Sequence, residues 1–529
     1  MTDKEFVALH ERISAKCSSQ RAIAAEMGLP VSTLRSRLER IARGAFSLGQ
    51  AVTVKKVKVP KRGVKRYIFT SVQDSTPLDM PFWNNLLAYA KYRKASLHVA
   101  SFTYNKKLFE ENRKDAQHQW YPPEVRPYLS NEQIHIGDKV IFCGEMNTLP
   151  TAIQPLHGFE TYTRDKWGIF PHAKIQLVSV PNGKFEETKQ IMTTGAATVP
   201  NYVQRRAGLR AQFHHAIGAV LLEIDEEGDI FCRHLVADND GNFQDLTTAV
   251  IGGEIIEDVA VGAVTWGDIH HEKLEDVVAD ACWGDGGMLD QLAPAKQFFH
   301  DIIDFKVRNH HNLKDPHFMF KMWMKGTESI EGSLKNVLDF MRRADRPYCD
   351  SIVVESNHDL ALGKWLKEHD WREDPVNAEF YLRTSLRVLQ QIKRGEVAKI
   401  LRDCLLYLED RRHLSRDTTG EPSPAREWTW LEQSESYIFT GIECGMHGHL
   451  GGNGARGNPR QFARMGHRAN TGHTHSPGIT DGIFTAGVSG SLDMGYNEGM
   501  SSWARTHIVT YDNGRRTLVT MQGSKFRAY

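Results

Sequence analysis

Several features of membrane-bound and secreted proteins are missing from this chain of 529 residues. No apolar run approaches the ~20 residues that a membrane-spanning helix needs, and Met1–Glu5 does not lead into the hydrophobic core of a signal peptide. The seven cysteines are scattered and odd in number, which is typical of free thiols in a reducing compartment. We therefore predict a cytoplasmic protein with no membrane partner.

The chain also has almost no net charge, but its charge is spread unevenly. Residues 1–70 hold 15 Lys and Arg against 5 Asp and Glu, a net charge of +10, whereas the whole chain carries +1. Residues 71–529 therefore carry −9. A basic arm on an otherwise acidic protein is the electrostatic signature of nucleic-acid binding, so we predict DNA as a partner.

Residues 1–45 have the pattern of a helix-turn-helix DNA-binding domain. Ser18 and Ser19 give a helix N-cap signal, Gly28 follows in a turn, and a second helix carries an apolar stripe through Leu34 and Leu38. A second helix of this motif enters the major groove of DNA. The arginines that we assign to this recognition helix are Arg35, Arg37, Arg40 and Arg43.

Residues 46–66 form a basic linker, and its cations are predicted to contact DNA phosphates, with affinity that falls as salt rises. The alternative is a solvated linker behind a small helical module that docks on another protein. The linker residues assigned to DNA contact are Lys55, Lys56, Lys58, Lys61, Arg62, Lys65 and Arg66.

Residues 67–258 are predicted to form a middle α/β domain whose role the sequence does not define. The first residues of this domain predict a strand, a helix after Pro81 and another strand, which is typical of a βαβ unit. Further strands are predicted at Gly218–Ile224 and Ile230–Val236.

Five short polar motifs follow in residues 259–529, and three of them come directly after apolar runs that predict buried strands. Because ligands bind at the carboxyl ends of strands in open α/β folds, we expect these loops to converge on one site. The motifs are Gly267-Asp268-Ile269-His270, His300-Asp301-Ile302-Ile303-Asp304, Ser356-Asn357-His358-Asp359, Gly445-Met446-His447 and Gly472-His473-Thr474-His475.

As candidate ligands the motifs supply two aspartates, an amide and four histidines, which is enough to hold two divalent cations. Carboxylate, amide and imidazole donors suit Mn²⁺, Mg²⁺, Fe or Zn²⁺. The absence of a cysteine among the candidate ligands argues against a soft thiolate site. Two cations about 3.5–4 Å apart can stabilise the incoming and leaving oxygens of a phosphate ester.

The set resembles the calcineurin-like metallophosphoesterases, whose motifs Asp-x-His, Gly-Asp-x-x-Asp, Gly-Asn-His-Asp/Glu, a lone His and Gly-His-x-His occur in this order. The resemblance implies a layered β-sandwich flanked by helices over 259–529, with a cation-activated water as nucleophile. It also implies that one cation is bound by Asp268, His270 and His475 and the other by Asn357, His447 and His473, that Asp301 bridges them, and that His358 protonates the leaving oxygen or steadies the phosphate charge.

Two positions depart from the family pattern. His300 precedes the bridging aspartate and Ser356 precedes Asn357, where the family has glycine. Glycine allows close backbone approach and positive φ, so the two loops are expected to differ locally from the family while every implied ligand is kept.

The middle section, with Thr70-Ser71-Val72-Gln73 and Phe213-His214-His215, resembles the part that precedes the phosphoesterase domain in some phage-encoded early nucleases, which are associated with degrading host DNA. This resemblance implies a metal-dependent DNA nuclease, with Mn²⁺ as the expected cation and the host cytoplasm as its location. A phosphatase or nucleotidase acting on a small phosphoester is one alternative, and a DNA-binding regulator with a non-catalytic phosphoesterase scaffold is the other. A homo-oligomer is compatible with the sequence.

Overall fold

The computed structural model describes residues 3–17, 19–35, 37–38, 52–57, 63–104, 120–183, 188–309, 312–416, 423–433, 435–495 and 497–529. Two compact units are present, residues 1–54 and residues 55–529. The predicted DNA contacts Arg40, Arg43, Lys58, Lys61 and Arg62 lie outside the described residues.

Helices and strands alternate along most of the described chain, which confirms the predicted mixed α/β class. The α-helices are α1 Asp3–Ser14, α2 Gln20–Glu26, α3 Met80–Arg93, α4 Arg206–His214, α5 Asp276–Trp283, α6 Met288–Leu292, α7 Pro316–Met324, α8 Ile330–Ala344, α9 Ala361–Glu368, α10 Ala378–Lys393, α11 Ile400–Arg416, α12 Pro424–Glu427 and α13 Pro459–Phe462. The strands are β1 Val54–Val57, β2 Lys65–Gln73, β3 Ser96–Phe102, β4 Gln133–Ile136, β5 Val140–Cys143, β6 Trp167–Phe170, β7 Leu177–Val180, β8 Lys189–Thr193, β9 Gly218–Ile224, β10 Ile230–Val236, β11 Phe243–Asp245, β12 Thr248–Ile251, β13 Glu254–Ile256, β14 Ala263–Thr265, β15 Lys296–His300, β16 Asp350–Val354, β17 Thr429–Leu431, β18 Ile438–Phe439, β19 Ile442–Glu443, β20 Arg468–Thr471, β21 Gly478–Thr480, β22 Ile483–Thr485, β23 Thr506–Thr510 and β24 Arg516–Thr520.

The N-terminal unit is helical, as its sequence predicts. Ser19 caps α2, its hydroxyl accepting the Ala22 N–H at 3.2 Å. Gly28 follows with φ 65°, a left-handed value that glycine adopts without steric cost, and residues 31–35 are helical again. Phe6, Ile23, Ala24 and Leu34 form its buried cluster.

Four sheets lie in the C-terminal unit. The largest has the strand order β1-β4-β5-β6-β8-β7-β21-β22-β20-β19-β18, and a second has β17-β16-β15-β14-β23-β24. Smaller sheets have the orders β10-β9-β2-β3 and β11-β12-β13. In the second sheet β14, β15, β16 and β17 are parallel, so their carboxyl ends share one edge.

The two large sheets pack face to face. Phe298 and Ile352 of the second sheet share a buried apolar cluster with Ile442 of the largest sheet, and Asn470 Nδ2 on β20 donates to Thr265 Oγ1 on β14 at 3.2 Å. The opposite face of the second sheet is covered by helices, whose side chains join Phe299 in the main core. Layers of helix, sheet and sheet therefore support the loops that carry the motifs.

Helix α8 illustrates how the sequence builds this cover. Ser329 caps the helix by accepting the Gly332 N–H at 3.0 Å. Leu334, Val337 and Met341 recur at the helical spacing, and all three are buried. The sequence predicts a helix over Leu334–Met341, and the structure extends it by a turn at the amino end and by three residues at the other.

A buried ion cluster holds the sheet of β2, β3, β9 and β10. Arg233 Nη2 lies 2.9 Å from Glu223 Oε2, and Arg233 Nε lies 2.7 Å from Asp245 Oδ1. Arg66, assigned to DNA contact from the sequence, donates instead to Glu223 at 2.7 Å. Removing one partner of such a buried pair costs about 3–5 kcal/mol, because the remaining charge stays buried without compensation.

The sequence-based division at residue 258 falls inside one compact unit. Strands β4–β8 and strands β18–β22 belong to the same sheet although they lie on opposite sides of that position. One long helix predicted over Phe380–Leu405 is instead two, α10 and α11, separated by a turn in which Gly395 has φ 75°.

No helix among the described residues is long and apolar enough to span a membrane. All seven cysteines are described and free, in agreement with the predicted absence of disulfides.

We expect the stability of the C-terminal unit to fall as pH drops from about 6.5 to about 4. Burial lowers the pKa of His172, His215 and His234 to about 4, so between these pH values the unfolded chain binds more protons than the folded one. Each histidine then removes up to about 1.4 kcal/mol per pH unit. Urea unfolding at pH 7.5, 6 and 5 measures this, and a His234→Gln variant should show a shallower pH dependence. Equal slopes would contradict the assignment.

Candidate metal centre

The loops after β14, β15 and β16 and those after β19 and β20 meet at one place. β19 and β20 are parallel neighbours in the largest sheet, and the other three strands are parallel neighbours in the second sheet. Since these two sheets pack face to face, carboxyl ends from both layers face one another. The five motifs that the sequence places far apart are thereby brought together.

Asp301 lies at the middle of the cluster. Its Oδ2 is 3.3 Å from His270 Nε2 and 3.4 Å from His447 Nε2. The side chains of these three residues are 0–1% exposed. A single carboxylate oxygen within reach of imidazoles from both sheets is the arrangement expected of a bridging ligand.

Asp268 lies on one side of this centre. Its Oδ2 is 3.3 Å from His475 Nε2 and accepts the His473 N–H at 2.7 Å. His270 Nε2 and His475 Nε2 lie 3.0 Å apart. Asp268, His270, Asp301 and His475 each offer one donor atom, and these atoms lie within 4.8 Å of one another.

The second predicted group of ligands is only partly assembled. His447 lies against Asp301, and the His473 ring is 5.2 Å from the His447 ring, centre to centre. Asn357 is exposed. His300 is buried and its Nδ1 lies 3.3 Å from His447 Nδ1. Asp268, His300 and His447 form a second group with donor atoms within 4.8 Å.

The backbone at the centre adopts left-handed conformations. His270, Asp301, His473 and His475 have φ of 44°, 47°, 71° and 56°. Each such non-glycine residue costs on the order of 1 kcal/mol or more, and they persist where the surrounding structure fixes them, most often at functional sites. The loops therefore hold these four side chains at the expense of local strain.

Burial and neighbouring charges shift the pKa values of the carboxylates and imidazoles at the centre. Burial and the carboxylate of Asp301 raise the pKa of Asp268 well above its ordinary value. Burial would also raise the pKa of Asp301, but His447, His358 and His270 hold it well below its ordinary value. Burial lowers the pKa of His475 to about 4, so its imidazole is neutral near pH 7. Neutral imidazoles beside carboxylates present lone pairs to a cation.

Several buried polar atoms of the cluster have no hydrogen-bond partner among the described residues. Such atoms are costly unless a ligand or ion satisfies them. They include Asp268 Oδ1, His270 Nδ1, Asp301 Oδ1, His447 Nε2 and His475 Nδ1. Oxygen and imidazole donors that lack protein partners fit a borderline or hard divalent cation, so the cluster can hold metal ions.

His358, the predicted catalytic residue, lies beside the cluster and is half-buried. Its Nδ1 lies 3.1 Å from the Asp304 carbonyl oxygen, and its ring centre is 4.7 Å from that of His270. Burial would lower the pKa of His358, but the carboxylates of Asp301 and Asp304 raise it above its ordinary value.

Three supporting residues were not assigned from the sequence. Asp304 Oδ1 lies 3.2 Å from His270 Nδ1, the ring nitrogen that does not face Asp301. Asp359 accepts the Ser356 hydroxyl at 2.8 Å and the Ile303 N–H at 3.3 Å, tying two loops together. His449 Nε2 lies 2.7 Å from Gln433 Nε2. Asp304 and Asp359 do lie inside the motifs, three residues after Asp301 and two after Asn357, and this closeness is the signal that the sequence offers.

The predicted DNA contacts that the structure describes lie elsewhere. Arg35 is exposed, and Arg37 packs over the Phe6 ring at 4.3 Å inside the N-terminal unit. Lys55, Lys56 and Lys65 are exposed.

The fold and this centre define a mixed α/β protein with a buried cluster of Asp and His side chains that can hold metal ions. Its sequence is similar to protein A1 of Escherichia phage T5, with 40% identity over 475 residues, 88% of this chain and 83% of the relative. The chain therefore belongs to the family of that phage protein. No family model matches the sequence, and no solved structure matches the fold.

We expect Gly472→Ala to weaken metal binding at least about tenfold, because the new Cβ would collide with Asp268 Oδ1 and displace that carboxylate. Changes that disturb the orientation of metal ligands commonly cost about 10–100-fold in metal affinity. Gly478→Ala is the matched control, since its Cβ would meet only the Leu177 carbonyl at 3.5 Å. Calorimetric titration with Mn²⁺ measures both variants. Equal affinities would show that Asp268 does not bind the cation.

Proposed function

We propose that the protein is a metal-dependent phosphodiesterase that hydrolyses DNA. The observation that carries the proposal is Asp301, a buried carboxylate within 3.4 Å of imidazoles from two different sheets and surrounded by further Asp and His donors. The calcineurin-like motifs that supply these residues support the same chemistry.

The proposed ligands follow from the cluster. Asp268, His270 and His475 would hold one cation, His447 and His473 the other, and Asp301 would belong to both. Asn357 remains a proposed ligand, and from its exposed position it would have to turn inward. Mn²⁺ is the expected cation, with Mg²⁺, Fe and Zn²⁺ as alternatives of similar donor preference. When bound, such a pair of cations supplies Lewis-acid stabilisation of phosphate oxygens and an acidified water.

The chain's own residues have separate tasks in this scheme. Asp304 fixes the orientation of His270, and Asp359 fixes the loop that carries Asn357 and His358. Burial lowers the pKa of His358, but Asp301 and Asp304 raise it above its ordinary value, and His358 would give its proton to the leaving oxygen. Removing a general acid of this kind commonly costs about 10²–10⁴ in rate.

A diester substrate suits the surroundings better than a small monoester. Asp304 lines a cavity of about 810 Å³, and His447 lines another of about 710 Å³. A phosphodiester continues on both sides of the reacting phosphorus, whereas a monoester needs one enclosed pocket. A phosphatase or nucleotidase is the competing function, and a regulator with a non-catalytic scaffold is the third.

DNA binding by the N-terminal unit is part of the proposal. Exposed Arg35 on the helix after Gly28 and exposed Lys55, Lys56 and Lys65 support it, together with the net charge of +10 over residues 1–70. Their contacts to phosphates would make the affinity for DNA fall steeply with salt.

We expect Asp301→Asn to reduce Mn²⁺-dependent cleavage of plasmid DNA by at least about 10³-fold, because the amide removes the negative charge shared between the two cation positions. Asp370→Asn is the control, since Asp370 pairs only with its neighbour Arg372 at the surface. Loss of closed circles on a gel measures internal cutting, and EDTA should abolish it.

The competing functions give different results in the same assay. Intact DNA together with hydrolysis of p-nitrophenyl phosphate would favour the phosphatase. Intact DNA, no hydrolysis of either substrate and no bound metal would favour the scaffold. Full activity of Asp301→Asn would contradict the proposed centre.

A further inference from the structure

The larger cavity beside the centre is lined by lysines that the proposed chemistry does not use. Lys273 and Lys306 are half-buried, and Lys321 and Lys325 are exposed. Its volume of about 810 Å³ lies within the range of about 300–1,000 Å³ of pockets that hold whole organic ligands. It is therefore much larger than one phosphate group requires.

The carboxylates in the same cavity already have partners. Glu272 accepts the Asp304 N–H at 2.6 Å and the Ser333 hydroxyl at 2.9 Å. Asp304 faces His270 and His358. Asp315 caps α7 by accepting two backbone N–H groups. These three acids are fixed in the wall, so they do not neutralise the lysines by direct ion pairs among the described residues.

The lysines are close enough to repel one another. Burial lowers the pKa of Lys306, and the charges of Lys273 and Lys325 lower it further, against the opposing pull of Asp304 and Glu272. Lys273 Nζ donates to the Met494 carbonyl at 2.8 Å, whereas the ammonium group of Lys306 makes no hydrogen bond or ion pair with any part of the chain that the structure describes. Several ammonium groups gathered around a void, two of them on half-buried lysines, are stabilised by a ligand that carries several negative charges.

The cavity extends from the metal centre toward exposed lysines. Asp304 lies in its wall and contacts His270 of the centre, while Lys321 and Lys325 come from α7 and the turn that follows it, and both are exposed. A chain of phosphates that starts at the centre would meet Lys306 and Lys273 first and then the exposed lysines.

We propose that this cavity is the subsite that binds the polynucleotide backbone next to the reacting phosphate, with Lys273, Lys306 and Lys325 contacting successive phosphates. The inference rests on the proposed phosphodiesterase function and specifies its substrate class as a nucleic-acid strand. Charged hydrogen bonds from lysine to phosphate provide affinity, without base recognition.

The test compares K306Q/K325Q with the matched control K364Q/K367Q, whose lysines lie on α9 and line neither cavity. Both variants of the full chain are assayed with Mn²⁺ on a 12-nucleotide DNA strand and on bis-p-nitrophenyl phosphate, a diester too small to reach the lysines. We expect kcat/KM of K306Q/K325Q to fall at least about tenfold more on the strand than on the small diester.

Salt dependence gives a second readout. Each phosphate contact contributes about 0.7 to the slope of log affinity against log salt for a single strand, so the slope for the strand should fall by about 1.4 in K306Q/K325Q and stay the same in K364Q/K367Q. Equal losses on both substrates, or an unchanged slope, would overturn the subsite.

Failure of the proposed function gives a different pattern. If the unsubstituted chain hydrolyses neither substrate, the phosphodiesterase assignment fails, and binding of a labelled tetranucleotide in EDTA then decides the subsite. Weaker binding by K306Q/K325Q than by K364Q/K367Q, with the smaller salt slope, would support it. Equal binding would overturn it.

Discussion

The burial of two carboxylates is the constraint on which the site depends. Asp268 and Asp301 are 0–1% exposed, and their nearest charged or chargeable neighbours are imidazoles. An ionised carboxylate in such surroundings is expensive unless it is paired or coordinates a metal. The protein keeps both groups there by means of two packed sheets whose strand ends face one another, and it accepts left-handed backbone at four residues to do so. We interpret the unfavourable free energy of these buried carboxylates and left-handed residues as a requirement for holding a pair of cations.

The same constraint explains the supporting polar network. Asp304 and Glu272 lie behind His270, and Asp359 ties the loop after β16 to the loop after β15. Each contact removes freedom from a side chain that faces Asp301. In metal sites generally, such outer contacts fix the orientation of the ligands and tune their basicity. The proposed cations would provide partners for the buried polar atoms that have none at its centre.

The sequence predicted much of this arrangement because its signals are local. Strand ends followed by Asp or His can be recognised from a few residues, and the strands Gly218–Ile224 and Ile230–Val236 agree with the predicted bounds. The sharing of one sheet by β4–β8 and β18–β22 could not be predicted, because β7 and β21, which join the two groups, pair over about 300 residues and leave no local pattern. Asn357 shows a second limit: its motif indicates a ligand, but the exposure of a loop side chain depends on packing. The same holds for Arg66, whose partner Glu223 is distant in sequence.

Electron paramagnetic resonance of the full chain titrated with Mn²⁺ tests the central claim most directly, together with metal analysis after dialysis. The account predicts two Mn²⁺ per chain whose spins are coupled, because Asp301 connects them, and a single uncoupled Mn²⁺ or none in Asp301→Ala. Binding of no Mn²⁺, or of isolated ions unaffected by that substitution, would contradict a shared centre at Asp301.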